Sequence, residues 1–233
     1  MKRHLFSILA IPMVFLAQCA PQCAPTPAPV EPPPTTAATT TTAVAPNLTV
    51  TYDGAGPGVP RIGLIGDSTL AAIRWTGSYA PLRRWNYTYD AESCRRTITP
   101  SCHGPDGYAP ANAIEVMHRL RGSLGTVLVL MTGANDPVSR FGEGIDAIVA
   151  EAHAQGMGAV IWLTVPGADD KNAVLAQRVQ QHGGFLTVAD WAGYSAAHPE
   201  WKNADGRHIS TTGAPVLAQD IADHVAAVLG PAS

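Results

Sequence analysis

Three short stretches of this chain carry residue types suited to nucleophilic chemistry. Gly66-Asp67-Ser68 offers a hydroxyl just ahead of a helical pattern that begins near Thr69. Gly133-Ala134-Asn135-Asp136-Pro137 offers a side-chain amide, and Asp205-Gly206-Arg207-His208 offers a carboxylate three residues before an imidazole. At that spacing an Asp can reach Nδ1 of the His from one loop, fix its tautomer and stabilise the imidazolium. The imidazole can then take a serine proton through Nε2. A Ser at a helix start shares that place with backbone N–H groups that favour a developing oxyanion. Each stretch also has a plain reading: a capped turn for the first, a turn for Asn-Asp-Pro, and an incidental surface His for the third. Of the eight His residues, His208 alone joins an upstream Asp to a position after a strand pattern; His103 and His198 rank behind it.

The elements that must position these stretches alternate. Short apolar runs at 61–66, 85–90, 126–131, 159–164 and 185–189 read as strands buried on both faces. Helical patterns lie between and after them, at 111–120, 143–154, 171–181 and 215–229. Five strands separated by helices predict a parallel sheet covered on both faces. Ligands in such folds sit beyond the carboxyl ends of the strands, which is where all three stretches fall.

In this order, the stretches resemble the blocks of the SGNH/GDSL hydrolase family. The resemblance runs over about 61–229 and is closest in kind to secreted actinobacterial members, through the Cys-Arg loop. It implies an α/β fold, a three-layer α/β/α sandwich of flavodoxin-like type with a five-stranded parallel sheet. It further implies Ser68 as nucleophile, His208 as base and Asp205 as its orienter, with the Ser68 N–H and the Asn135 amide as oxyanion donors. The family usually places a third donor, a Gly N–H, after the second strand. Here that strand runs into Asp90-Ala91-Glu92-Ser93-Cys94-Arg95-Arg96, without Gly. A backbone N–H needs no Gly, so Cys94 or Arg95 would serve; Arg95 is the expectation, with Gly104 and Gly107 further away. The implied activity is that of a serine esterase working through an acyl-enzyme, with no metal and no organic cofactor, on a small-molecule, glycan or lipid ester. Acyl transfer to a sugar would use the same residues. A non-catalytic envelope-binding protein on the same scaffold is the reading from a different class.

The N-terminal part reads as export. Lys2 and Arg3 precede an apolar stretch, 5–16, broken only by Ser7 and Pro12. As a helix it rises about 18 Å, short of the ~30 Å hydrocarbon core. This predicts a signal peptide over 1–20. Leu16-Ala17-Gln18-Cys19 resembles a bacterial lipobox, with Gln18 where a small residue is usual. Lipidation at Cys19 therefore stands beside plain secretion with cleavage near Ala20 or Ala24. Residues 21–46 are rich in Pro, Ala and Thr, with Glu31 their one charge, and read as an extended linker. The domain spans 47–233, and the protein is expected outside the cell or at its envelope.

Composition agrees. The chain has 233 residues, 46% hydrophobic and 14% charged, which excludes wholesale disorder. Fifteen basic residues against 18 acidic ones give a charge of −3, and no basic cluster speaks for a nucleic-acid partner. A monomer is expected. Beyond the linker the only cysteines are Cys94 and Cys102, which predicts a disulfide in an oxidising compartment. A zinc site from Cys94, Cys102 and His103 would lack a fourth ligand. Trp75, Trp191 and Trp201 are candidates to line a sugar or acyl site, with core or rim packing as the plainer reading.

Overall fold

Six strands form one sheet in the order β1-β3-β2-β4-β5-β6, within the unit Thr41–Ser233 of a computed structural model that describes residues 46 and 48–230. The expected signal peptide, Cys19 and residues 21–45 of the linker lie outside the described residues. The strands are β1 (Val50–Tyr52), β2 (Arg61–Gly66), β3 (Asn86–Ala91), β4 (Val127–Met131), β5 (Ala159–Leu163) and β6 (Leu186–Ala189). β2 to β6 are parallel; β1 pairs antiparallel with β3. The five parallel strands are those read from the sequence, within a residue or two at each end. β1 is an addition. It has three residues, partly exposed, and no apolar run to announce it. It is held by its partner strand, with Tyr52 stacked on Tyr87 at 5.2 Å between ring centroids.

The sheet has a core on each face because side chains alternate along each strand. Ile62 and Leu64 of β2 and Val127, Val129 and Met131 of β4 point into one core. Ile65, Leu128 and Leu130 point into the other. The first core is closed by α1 (Ser68–Thr76) and α6 (Gly213–Leu229). The second is closed by α2 (Ala113–Arg119), α3 (Val138–Ala154) and α4 (Asp169–His182). This is the three-layer α/β/α arrangement. A short α5 (Trp191–Tyr194) follows β6.

α3 starts five residues before the expected position. Gly142 and Gly144 weaken its helical signal, yet both sit where neighbours come close. A Cβ on Gly144 would lie 2.9 Å from Thr97 Cγ2, and one on Gly142 would lie 2.7 Å from an Arg178 nitrogen.

The chain runs from β2 to β3 on one side and then crosses to β4 on the other. β2 is therefore the switch point, where a crevice opens beyond the carboxyl ends. Gly66 is in register with both Ala91 and Met131. The loops after β2, β3 and β4 thus leave the sheet at one level, side by side.

Candidate active site

Ser68 is the first residue of α1. The cap is Asp67, whose Oδ1 accepts the Thr69 N–H at 2.8 Å and the Thr69 hydroxyl at 2.6 Å. The plain reading of Ser68 as an N-cap is therefore replaced: its hydroxyl is free for other work, and its N–H is one of the orphan donors of a helix start. The strand-to-helix turn is tight. A Cβ on Gly66 would lie 2.4 Å from Leu70 Cβ.

Ser68 is nearly buried, and its Oγ lies 2.9 Å from His208 Nε2, 140 positions away in the chain. His208 Nδ1 lies 2.6 Å from Asp205 Oδ2. The other Asp205 oxygen accepts the N–H groups of Arg207 and His208, each at 2.9 Å. The hydrogen bond to His208, followed by those two backbone donors, holds the Asp205 carboxyl down at about 2. The loop is closed at its base: the Asn203 N–H donates to His208 O at 2.7 Å, and Lys202 bridges Ile209. Gly206 takes φ +70°, which lets the turn bring Asp205 back over the imidazole.

Asn135 follows β4. Gly133, at φ +128°, starts its turn, closed by Asp136 N–H to Gly133 O at 3.2 Å. The Asn135 amide donates to Arg95 O at 3.2 Å, and Arg96 Nε donates to Asn135 O at 2.8 Å. Asp136 accepts the Thr97 N–H at 2.9 Å and the Thr97 hydroxyl at 3.1 Å. The loops after β3 and β4 are thereby stitched together. Asp67 faces the same junction, with the Ala134 N–H near its carboxylate, and Asp67 Oδ2 is buried with no hydrogen-bond partner. Burial pushes Asp67 up to about 6, against its bonds to Thr69. Burial also raises Asp136, against its bonds from Thr97. The sequence blocks contained both aspartates but assigned neither.

The loop after β3 contains the disulfide. Cys94 and Cys102 are bonded, with Cα atoms 5.1 Å apart, so neither is available to zinc. Among the described residues no group of three or more His, Cys, Asp and Glu could hold a metal ion. Arg95 buries its guanidinium on Asp90 Oδ1 at 2.6 Å, Asp90 O at 2.7 Å and Ala111 O at 3.0 Å. Its N–H turns back to Glu92 O at 3.4 Å. Cys94 has φ +68°, the one positive value at a non-glycine among the described residues. No hydrogen bond among the described residues uses its N–H.

Trp191 is fully buried, and Trp201 is stacked between Trp191 and His198, with His198 3.7 Å from it and paired with Glu200. Trp75 is 56% exposed near the far end of α1. A cavity of 230 Å³ lies beside β3, lined by Asp90, Glu92, Arg95 and Tyr108, whose polar groups already bond one another or Arg74 and Arg119.

A doubly covered, mostly parallel sheet with a Ser-His-Asp constellation beyond its central strands defines the class of fold. No protein-family model and no curated protein matches the sequence. Solved structures do. A protein from Slackia heliotrinireducens described as a candidate SGNH hydrolase matches with a TM-score of 0.55 at 18% identity, over 72% of this chain and all of that one. A carbohydrate esterase family 3 protein from Talaromyces cellulolyticus matches at 0.47 and 15%, over 74% and 99%. An acetyl esterase S10A mutant with an acetate ion matches at 0.47 and 14%, over 74% and 99%. The first of these shows that the chain has the SGNH-type fold.

Proposed function

We propose that the domain is a serine esterase. In this reading His208 Nε2 takes the Ser68 proton as Oγ attacks an ester carbonyl. The carbonyl oxygen becomes an oxyanion between the Ser68 N–H, the second Asn135 amide hydrogen and a backbone N–H of the β3 loop. Collapse expels the alcohol, which takes the proton from His208. Water, activated by the same imidazole, then releases the acid and restores Ser68. Asp205 keeps the imidazole in the needed tautomer. The third donor is Cys94 rather than Arg95. The left-handed backbone at Cys94 is the conformation that glycine supplies freely, and the disulfide holds a non-glycine there. No step uses a metal or an organic cofactor.

The observation that carries this reading is the Ser68–His208–Asp205 chain, at 2.9 and 2.6 Å, assembled from the ends of separate elements. The basic, apolar N-terminus and the disulfide support an exported enzyme, free or held at the envelope through Cys19, acting on acylated glycans, lipids or small esters. The test is hydrolysis of p-nitrophenyl acetate by the purified protein. Ser68→Ala should abolish it while the protein stays folded. Retention of full activity in that variant would end the proposal, and product appearing on an added sugar rather than in water would move it to acyl transfer.

A further inference from the structure

Most arginines of the described residues are spent on carboxylates. Arg61, Arg74, Arg84, Arg95, Arg119, Arg121, Arg140 and Arg178 each lie within ion-pair distance of an Asp or Glu. Arg83, Arg96 and Arg207 do not; Arg83 lies over the Tyr52 ring, far along the chain from the site loops, whereas Arg96 and Arg207 lie in the loops that carry Cys94 and His208. Arg96 is half-buried on the β3 loop. It gives Nε to Asn135 O at 2.8 Å and Nη1 to Pro100 O at 3.1 Å, both neutral carbonyls. Asp136, the carboxylate that feels its charge, is buried and engages both oxygens with Thr97. Arg207, next to His208, gives Nη2 to Gly167 O at 2.8 Å, beyond the end of β5. Asp205 turns to the backbone N–H of Arg207, not to its guanidinium. Among the described residues each arginine thus keeps N–H donors without an acceptor, Nη2 on Arg96 and Nε and Nη1 on Arg207. A guanidinium pinned by one edge to a carbonyl is oriented at little entropic cost and presents its other edge to an oxyanion.

We propose that Arg207, aided by Arg96 on the opposite wall, makes this site selective for esters whose alcohol part carries a negative charge, a carboxylate or a phosphate. This rests on the esterase reading. The side of the ester follows from its chemistry. His208 returns its proton to the leaving oxygen, so the alcohol part lies against His208, on the side of the loop that carries Arg207 between His208 and Gly167. Arg96 sits on the Asn135 side, where its field acts across the crevice.

The test compares three aryl acetates of the same shape: methyl 4-acetoxybenzoate, 4-acetoxybenzoate and 4-acetoxyphenyl phosphate, each kcat/KM divided by the hydroxide-catalysed rate. The anionic esters should be preferred about tenfold at low salt, as one charge-assisted contact implies, and the preference should shrink in 0.5 M NaCl. The larger of the two anionic rates names the source of the charge. Arg207→Gln should bring the ratio near one, whereas Arg207→Lys should keep most of it. Arg96→Gln should lower the ratio in part; its lost support of Asn135 falls on all three esters and cancels. A wild-type ratio near one, or a ratio unchanged in Arg207→Gln, overturns the proposal while leaving the esterase standing. If none of the esters is hydrolysed in a Ser68-dependent manner, the esterase reading fails and the selectivity with it.

Discussion

Replacing Asn135 by alanine removes one amide and leaves the turn around it intact. The main-chain oxygen of residue 135 stays on Arg96 Nε, Asp136 stays on Thr97, and the Gly133–Asp136 turn bond is untouched. What disappears is a 3.2 Å bond to Arg95 O and the second amide hydrogen. The first loss is one long, partly buried hydrogen bond, about 0.5–1.5 kcal/mol of stability. The second falls on the transition state. A single oxyanion donor typically contributes about 10²–10³ in rate, roughly 2.7–4 kcal/mol. The substrate carbonyl is uncharged before attack, so KM should change little and kcat should carry the effect. Asn135→Asp should be at least as damaging, since a carboxylate there opposes the oxyanion. The assay is kcat and KM for p-nitrophenyl acetate together with the melting temperature, on one preparation. A lowered melting temperature with a normal kcat would refute the oxyanion role and leave Asn135 as a turn residue.

Two further perturbations probe the same junction. Cys102→Ser opens a loop of sequence separation 8, which should cost about 2.5 kcal/mol. Because nothing covalent then holds Cys94 at φ +68°, kcat should fall by about tenfold or more in protein that is still folded. Cys94→Gly combined with Cys102→Ser should recover much of the loss, since glycine takes that φ without strain; full kcat in Cys102→Ser alone would remove Cys94 from the oxyanion site. Asp67 bears on stability. Its pKa is raised by burial from 3.8 to about 6, so the folded state favours the neutral carboxyl. That contribution, about 3 kcal/mol, is complete below about pH 4 and is lost as pH rises through about 6. Asp67→Asn keeps a cap for Thr69 and has no such proton. Urea unfolding at several pH values between 4 and 7 should show the wild type losing stability across this window more steeply than the variant. Equal slopes would show that Asp67 does not titrate there. Asp136, also raised by burial, acts in the same direction in both proteins.

Local chemistry made much of this molecule legible in one dimension. A strand buried on both faces has to be apolar throughout, so β2, β4 and β5 stand out as runs without alternation. A His that needs an orienting carboxylate within one loop has to have it a few residues away, so Asp205 and His208 could be paired from spacing, and their 2.6 Å contact follows from one short hairpin. Cys94 and Cys102 are the only cysteines beyond residue 46, so within the domain each has one partner. What depended on tertiary structure was everything set by a partner distant in sequence. β1 exists because β3 offers an edge, and α3 begins at Val138 although Gly142 and Gly144, which pack against Arg178 and Thr97, weaken its helical signal. By sequence Trp191 and Trp201 are both candidates to face a ligand; the fold buries Trp191 and stacks Trp201 between it and His198. Cys94 and Arg95 are neighbours with identical backbone donors, and no local signal separates them. The proposal of Cys94 rests on the Arg95 N–H turning to Glu92 O and on the left-handed backbone at the disulfide-bonded Cys94. The direction of a backbone N–H depends on φ and ψ, and here those angles are imposed by contacts that the order of residues does not encode locally.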